Sequence, residues 1–105
     1  MVLSNCSSRE EADRIARGLV EARLAACVNI VDNVSSVYHW QGKIEAGQET
    51  MLVIKSRRDL FDSLQQRLSA MHSYEVPGAI AIPVVDGLPA YLDWMERELA
   101  PQGIS

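Results

Sequence analysis

The longest hydrophobic pattern in the chain predicts two β-strands joined by a turn. β-Branched and aromatic side chains recur through residues 27–40, and a compact apolar run, MLVI, begins at Met51. The first composition is typical of a half-buried strand, and the second of a strand covered on both faces. A glycine-containing break at residues 41–43 separates the two stretches. The pattern therefore predicts a hairpin with arms at 27–40 and 49–57.

This predicted hairpin is long for the domain that holds it. Each arm has about 10 to 14 residues and spans roughly 30 to 45 Å at ~3.3 Å per residue. A domain of this length has a diameter of only ~33 Å, so the hairpin tip should project beyond the core. A projecting apolar strand edge aggregates unless another strand pairs with it, and we expect a second copy of the chain to do so. In the alternative, the first arm breaks at Asp32-Asn33 and folds back, and a β-bulge there is compatible with both.

Apolar residues at helical spacing predict a first helix after Ser7 and Ser8. Each serine has a glutamate three residues later, Glu10 and Glu11, which is the pattern of a capping box. The apolar stripe of this helix consists of Ala12, Ile15, Ala16, Leu19, Val20 and Leu24.

Two further helices follow the hairpin. Asp59 is placed to cap the second helix, and Pro89 suits the first position of the third. Pro101 and Gly103 are expected to end the third helix. The predicted inward faces are Leu60, Phe61, Leu64, Leu68 and Met71 in the second helix, and Leu88, Tyr91, Leu92, Met95 and Leu99 in the third.

Two more strands complete the element order. A short strand begins at Val2-Leu3, and another covers residues 79–85, where Pro83 favours a sheet edge because proline cannot donate to the ladder. The order β-α-β-β-α-β-α favours an α+β fold, a ferredoxin-like βαββαβ sandwich with an extended hairpin and a C-terminal helix. In that topology the third strand lies between the first two.

The predicted topology separates the candidate reactive residues. Cys6 ends the first strand, and Cys27 begins the second strand at the opposite end of the sheet, so their thiols should not meet within one chain. His72, after the second helix, is expected at the Cys6 end. Lys55, which ends the third strand, is expected at the Cys27 end.

Composition and charge exclude several classes of function. The 105 residues form one predicted domain, 1–105, with 48% hydrophobic residues and a net charge of −4. This acidic balance argues against a general binder of nucleic acid or anionic membranes, and no apolar run approaches the ~20 residues of a membrane span. The start has no secretory pattern, and the two cysteines lack C-x-x-C spacing. We therefore expect a cytoplasmic protein.

The candidate metal ligands are Cys6, Cys27 and His72. Thiolates suit soft ions such as Cu(I) or Zn(II), and neutral imidazole is a common ligand. Each residue also has a structural interpretation. Cys27, at a strand start, is typical of a small buried hydrophobe. Cys6 lies in a predicted exposed loop and can be a bystander, while His72 can cap the second helix, where a cation favours the dipole.

A second set of residues predicts a binding surface. His72, Tyr74 and Glu75 form a polar rim beside a turn, although Tyr74 also suits packing with a hydrogen-bonded hydroxyl. Trp40 at the hairpin tip is most simply an intersubunit anchor. Lys55 should find a carboxylate or line a cleft. The sequence has no H-E-x-x-H motif, phosphate-binding glycine loop or nucleophile–base pattern, so we do not expect an enzyme.

Six short segments, taken in order, resemble the CutA family of divalent-cation tolerance proteins. They are AACVN at 25–29, YHWQGK at 38–43, IKSR at 54–57, HSYEVP at 72–77, IP at 82–83 and YLDW at 91–94. The resemblance covers about residues 2–99. The chain departs from the family at Gly78, where an acidic residue is usual, at Ser73, where proline is usual, and at Ser4, where some relatives carry a thiol.

The resemblance implies a tight PII-like homotrimer of ferredoxin-like subunits whose hairpins pair between chains. It implies trimer contacts through Val37, Tyr38 and Trp40, and intersubunit clefts lined by Trp40, Lys55, His72, Tyr74 and Glu75. It also implies a link to divalent-metal tolerance, with copper or another divalent metal as the expected ion and no organic cofactor. The alternatives are a PII-like sensor of a small anionic or zwitterionic ligand and a stable trimeric scaffold.

Overall fold

A computed structural model describes residues 1–101 as a four-stranded antiparallel sheet with three helices. The strands are β1 (Val2–Cys6), β2 (Cys27–Trp40), β3 (Lys43–Lys55) and β4 (Ala79–Ala81), and the helices are α1 (Arg9–Glu21), α2 (Phe61–Met71) and α3 (Pro89–Glu98). The strand order is β2-β3-β1-β4, so β3 lies between β1 and β2, as predicted. Within residues 1–101, no helix combines the length and apolar character needed to cross a membrane.

The core lies between α1, α2 and one face of the sheet. Side chains from β1 and β3 alternate into it and meet the apolar stripes of the two helices. The enclosed residues include Val2, Cys6, Ile15, Leu19, Leu52, Ile54, Leu64 and Leu68. Met51 and Val53 face the other side and stay half-buried in a single chain. The MLVI run, expected to be covered on both faces, is therefore fully covered on one face by the chain itself.

The hairpin of β2 and β3 confirms the predicted overhang. The strands pair from Cys27 opposite Lys55 to Trp40 opposite Lys43. Their turn uses Gln41 and Gly42 at φ 50° and 79°, and glycine adopts this left-handed region without a Cβ clash. Residues 37–48 are exposed, and the longest dimension of the chain is 44 Å.

The first strand of the hairpin contains a bulge and does not fold back. Pairing with β3 shifts register between Val31 and Val34. Asn33 adopts φ 59°, a conformation that asparagine tolerates better than most residues. A bulge at Asp32-Asn33 was compatible with both predicted alternatives, and because β2 pairs with β3 on both sides of it, the alternative in which the strand folds back is wrong.

Helix α1 begins as predicted. The Ser8 hydroxyl accepts a hydrogen bond from the backbone N–H of Glu11 at 3.2 Å. The C-terminal end of α1 differs from the prediction, which extended the apolar stripe of the helix to Leu24. The helix ends at Glu21, and Leu24 packs against the core from the segment that follows. Val20, predicted on the inner stripe, is exposed.

Helix α2 lacks the predicted cap. Asp59 lies in a 3₁₀ turn, Arg58–Leu60, that precedes the helix, and no side chain caps its N-terminus. The Asp59 carboxylate instead forms a two-point ion pair with Arg57. The guanidinium engages both carboxylate oxygens, and neither oxygen accepts a hydrogen bond from an N–H of the helix.

Helix α3 contradicts its predicted inward face. None of its residues is buried, and Leu88, just before the helix, is 71% exposed. Only Leu99, just beyond the helix, is buried. Arg57 and Arg23 donate to carbonyl or carboxylate oxygens at its C-terminal end. The apolar pattern predicted an amphipathic helix correctly, but one chain does not supply the surface that would cover it.

The first strand ends where predicted, and the last strand is shorter than predicted. β1 runs to Cys6, and Val2, Ser4 and Cys6 alternate into the interior. β4 ends at Ala81 rather than at residue 85, since Pro83 cannot donate to the ladder. β4 is an edge strand, as predicted. The third helix ends at Glu98, before Pro101, and Gly103 lies outside the described residues.

The Ser8 cap gives a direct test of the α1 assignment. Ser8→Ala should lower the free energy of unfolding by about 1 kcal/mol, because one N–H of the first turn loses its acceptor. Ser35→Ala, in the exposed part of β2, should stay within about 0.5 kcal/mol of the wild type. Urea denaturation of both variants would make this comparison, and equal midpoints would contradict the cap.

Candidate metal centre

Three elements converge at the end of the sheet where β1 stops. Cys6 ends β1, Glu11 lies in the first turn of α1, and His72 follows the last residue of α2. Their thiol, carboxylate and imidazole ligand atoms all lie within 4.8 Å of one another. Among residues 1–101, this is the one group of three or more such side chains in this proximity. The structure thus brings together two predicted ligands, Cys6 and His72, and adds Glu11.

Glu11 is a buried carboxylate with a full set of donors. Its Oε1 accepts from the Ser7 backbone N–H at 3.1 Å and from the Ser7 hydroxyl at 3.2 Å. Its Oε2 accepts from the Ser73 N–H at 2.9 Å, and the Arg14 guanidinium lies 3.9 Å away. Burial by itself would raise the pKa of Glu11, but the hydrogen bonds from Ser73 and Ser7 outweigh it and hold the pKa below its ordinary value. Glu11 is therefore ionised at neutral pH.

The His72 ring is fully enclosed and fixed at both nitrogens. Nδ1 accepts the Tyr74 backbone N–H at 3.0 Å, and Nε2 lies 2.8 Å from the Asn5 carbonyl oxygen. A ring nitrogen that accepts an N–H carries no proton, and one that faces a carbonyl must donate. These contacts select the neutral Nε2–H tautomer. Nδ1 also lies 3.9 Å from Glu11 Oε1.

The cap role predicted as an alternative for His72 belongs to another residue. The His72 backbone N–H bonds to the Ser69 carbonyl, but its ring does not contact the helix carbonyls. The Arg14 guanidinium donates to the Met71 carbonyl at 3.1 Å and supplies the cation at the end of α2.

Cys6 is buried, which corrects its prediction as an exposed loop residue. It is the last inward residue of β1 and has no exposed surface. Burial, reinforced by the charges of Glu11 and Glu49, raises the pKa of the thiol to about 11. Cys6 is therefore a protonated thiol at neutral pH, and it becomes a metal ligand only by losing that proton.

Tyr74 closes the centre from outside. Its ring lies 4.6 Å from the His72 ring, and its hydroxyl donates to Glu49 Oε2 at 2.8 Å. Burial and the Glu49 carboxylate raise the pKa of Tyr74. Asn5 donates to the other Glu49 oxygen at 3.3 Å. These contacts confirm the predicted packing role of Tyr74 with a hydrogen-bonded hydroxyl.

A polar hollow of about 430 Å³ adjoins the centre and opens to the surface. Its lining residues are Ser7, Arg9, Asp32, Asn33, Gln48, Glu49 and Thr50. Ser7 contacts Glu11, and Glu49 contacts Tyr74, so one layer of side chains separates the hollow from the three candidate ligands.

The donor set fits a small cation of intermediate or soft character. Zn(II) and copper ions accept thiolate, imidazole and carboxylate together. Around a tetrahedral ion with bonds of about 2.0–2.3 Å, neighbouring ligand atoms are roughly 3.5 Å apart. The spacing of up to 4.8 Å therefore requires the three side chains to close by about 1 Å.

The third predicted ligand, Cys27, lies elsewhere. It is opposite Lys55 on β3, whereas Cys6 is opposite Thr50. Five strand positions separate these partners, which is about 17 Å at ~3.3 Å per residue. The predicted separation of the cysteines is confirmed, both are free, and the structure does not bring Cys27 to the centre.

The residues of the predicted cleft occupy separate regions of one chain. His72 and Tyr74 belong to the centre, while Glu75 is exposed beside it. Lys55 lies at the other end of the sheet, with Nζ 5.6 Å from the Tyr91 ring centre, where it lines a groove of about 540 Å³ beside α3. Lys55 thus lines a groove of the single chain, and the predicted intersubunit cleft stays a prediction. The predicted trimer contacts Val37, Tyr38 and Trp40 are exposed at the hairpin tip.

Glu11 and Glu49 are the residues of the centre that the sequence analysis did not identify as such. Glu11 was assigned only to a capping box, and its burial is consistent with its place one turn before the core residue Ile15. Glu49 is in the return arm of the hairpin, and its contact with Tyr74 joins residues 25 positions apart. No local pattern predicts such a contact.

Fold and centre together define a class of protein. It is a small α+β protein in which a four-stranded antiparallel sheet holds a buried cluster with the composition of a metal site. The model of the CutA1 divalent ion tolerance protein family matches residues 1–98, and the chain belongs to that family.

Individual relatives are similar to this chain in sequence and structure over most of its length. The divalent-cation tolerance protein CutA of Thermus thermophilus is 45% identical over 97 residues, which are 92% of this chain and 94% of that protein. A solved Thermus structure superposes with a TM-score of 0.92 at 43% identity, covering 94% of this chain and 96% of that one. An Archaeoglobus fulgidus structure, described as periplasmic, gives 0.90 at 42% identity, covering 92% and 94%.

The match to eukaryotic relatives is partial. Protein CutA of Homo sapiens is 41% identical over 92 residues, 88% of this chain and 52% of that protein. The chain spans about half the length of the plant and mammalian relatives that it matches. The bacterial and archaeal relatives are named for divalent-cation tolerance, and these names specify no catalytic activity.

The low pKa of Glu11 gives a pH test of the centre. A carboxyl with a folded-state pKa below its unfolded value, ~4.3, adds stability above that value and loses it as the pH falls through the folded pKa. Thermal midpoints should therefore fall more steeply below about pH 4 in the wild type than in Glu11→Gln. At pH 7 the variant should be about 1–3 kcal/mol less stable, because its amide nitrogen faces an N–H donor. Glu10→Gln, exposed in the same turn, is the control, and parallel pH curves for wild type and Glu11→Gln would contradict the assignment.

Proposed function

We propose that the protein contributes to divalent-cation tolerance by binding the cation directly at Cys6, Glu11 and His72. The observation that carries this proposal is the convergence of sulfur, oxygen and nitrogen donors from three elements within 4.8 Å. The membership in a family named for divalent ion tolerance supports it. Copper or zinc is the expected ion because two of the three donors are thiol and imidazole.

Each side chain has a defined part in the proposed site. His72 offers the Nδ1 lone pair, while its Nε2–H bond to Asn5 fixes the tautomer, as outer contacts of metal-binding histidines do. Glu11 offers a carboxylate that is already ionised. Cys6 binds as thiolate, so binding releases a proton. A bound cation supplies positive charge to a site that otherwise holds one buried anion.

The proposed assembly is a cytoplasmic, PII-like homotrimer of ferredoxin-like subunits. The strand order supports the ferredoxin-like assignment, since β3 lies between β1 and β2. The many exposed large apolar side chains support self-association, because exposed apolar patches commonly mark protein–protein interfaces. The exposed large side chains include Val37, Tyr38, Trp40 and Ile44 at the hairpin, Ile80, Ile82, Val84, Val85 and Leu88 around β4, and Tyr91, Leu92 and Trp94 on α3.

The groove beside α3 supports a second candidate function, a PII-like sensor of a small ligand. The groove combines the Lys55 ammonium with apolar walls from Val84, Leu92 and Met95. A zwitterionic ligand suits it better than a simple anion, since Asp86 and Asp93 line the same groove. A trimer without a ligand, acting as a scaffold, is the third alternative.

Calorimetric titration tests direct binding. The reduced protein should bind Zn(II), or Cu(I) under anaerobic conditions, at about one ion per chain. His72→Ala and Cys6→Ser should each weaken binding at least about tenfold, or ~1.4 kcal/mol, because each removes a ligand. Cys27→Ser is the matched control, because it removes a thiol at the opposite end of the sheet. Binding that neither ligand variant weakens, in proteins with normal circular dichroism, would contradict the proposed site and make the link to tolerance indirect.

Mass measurement in solution tests the trimer. At micromolar concentration the protein should have the mass of three 11.6 kDa chains. Trp40→Ala should weaken association by about 30-fold or more, since buried tryptophans at interfaces commonly contribute about 2 kcal/mol or more. Gln65→Ala, exposed on α2, provides the control. A folded wild-type monomer at that concentration would contradict the proposed assembly.

A further inference from the structure

The segment Ser73–Gly78 is clamped to the centre through two of its candidate ligands. The Ser73 N–H donates to Glu11 Oε2 at 2.9 Å, and the Tyr74 N–H donates to His72 Nδ1 at 3.0 Å. At its other end, the Ser4 hydroxyl donates to the Gly78 carbonyl oxygen at 2.6 Å. We call the first two bonds the clamp. They hold the start of the segment, while Ser4 and β4 hold its end.

The clamp and a bound cation compete for the same two ligand atoms. Imidazole Nδ1 has one lone pair, so it cannot accept the Tyr74 N–H and bind a cation at the same time. Glu11 has more acceptor capacity: Ser7 donates twice to Oε1, whereas Oε2 accepts the Ser73 N–H of the clamp and lies 3.9 Å from the Arg14 guanidinium. A cation at Oε2 therefore competes with that N–H for the less occupied oxygen. Coordination through these atoms therefore replaces one or both clamp bonds.

We propose that cation binding and the clamp exclude each other, so that the loaded centre releases the start of Ser73–Gly78. This inference rests on the proposed function, because it names the structural response of the same site. The released part contains Tyr74, whose hydroxyl contacts Glu49 on β3, and Val76, which is 86% exposed. Cation binding at the buried centre thereby changes the position of exposed residues at the base of the projecting hairpin.

Residue 73 offers a substitution that removes one clamp bond with little strain at the preceding residue. Proline lacks the N–H that Ser73 donates to Glu11. The residue before a proline prefers extended backbone, and His72 already has φ −86° and ψ 143°. Ser73→Pro thus frees Glu11 Oε2 while the His72 backbone keeps its conformation. Ser73→Ala removes only the hydroxyl and keeps the N–H, so the pair of variants isolates the donor.

Zinc affinity of the two variants tests the competition. Ser73→Pro should bind Zn(II) about tenfold more tightly than Ser73→Ala, because the cation no longer displaces that N–H from Glu11. Calorimetry on reduced, full-length protein measures this ratio. Equal affinities of the two variants would overturn the proposal, even if both bind zinc through Cys6 and His72.

Amide hydrogen exchange tests the release itself. On saturation with Zn(II), the wild-type amides of Ser73 and Tyr74 should exchange at least about tenfold faster, while those of β1 and β3 should not. Unchanged or slower exchange at these two amides, with zinc binding recorded by calorimetry, would overturn the release and leave the proposed metal centre intact. Absence of zinc binding in the wild type and both variants would overturn the centre and the release together.

Discussion

One buried carboxylate determines how the end of the sheet is built. Glu11 is almost completely enclosed, and an ion taken out of water costs several kcal/mol unless donors surround it. The donors come from Ser7, before α1, and from Ser73, after α2. Because two of them are backbone N–H groups, they fix the path of the chain at both places. The start of α1 and the end of α2 are therefore held together across 62 positions of sequence.

The exposed apolar surface of the hairpin results from a difference in length between its strands and the helices that cover the sheet. The sheet core covers the inner face only as far as α1 and α2 reach, while β2 and β3 continue past it. Backbone pairing continues to the hairpin tip, but the apolar side chains of the tip are exposed in a single chain. The apolar side chains of helix α3 are likewise not covered, because no residue of the helix is buried. Arginine side chains donate to carbonyl oxygens at its C-terminal end and hold it in place. Both features support the proposed self-association, because exposed strand edges and apolar patches commonly mark protein interfaces.

The local parts of this structure could be predicted from the sequence, and the long-range parts could not. Periodicity and a serine cap predict α1, and alternation with a glycine turn predicts the hairpin, because each depends on neighbouring residues. The Asp59 cap was wrong because Arg57 competes for the same carboxylate. The burial of Cys6 was missed because alternation over five residues is a weak signal. Glu11, Glu49, His72 and Tyr74 meet only after two helices and a hairpin have packed.

The same chemistry that stabilises the centre restricts which cations can enter it. In the centre, Glu11 and His72 already have hydrogen-bond partners. The free energy gained when a cation binds these ligands must therefore exceed the free energy lost with the hydrogen bonds that break. Mg(II) and Ca(II) prefer several oxygen ligands and gain little from a thiolate or an imidazole. Soft and intermediate ions gain from both. Selectivity in the proposed site therefore depends on the hydrogen bonds that must be broken as well as on the ligands. The backbone N–H of Ser73 is one of these bonds, and a proline at position 73 would not form it.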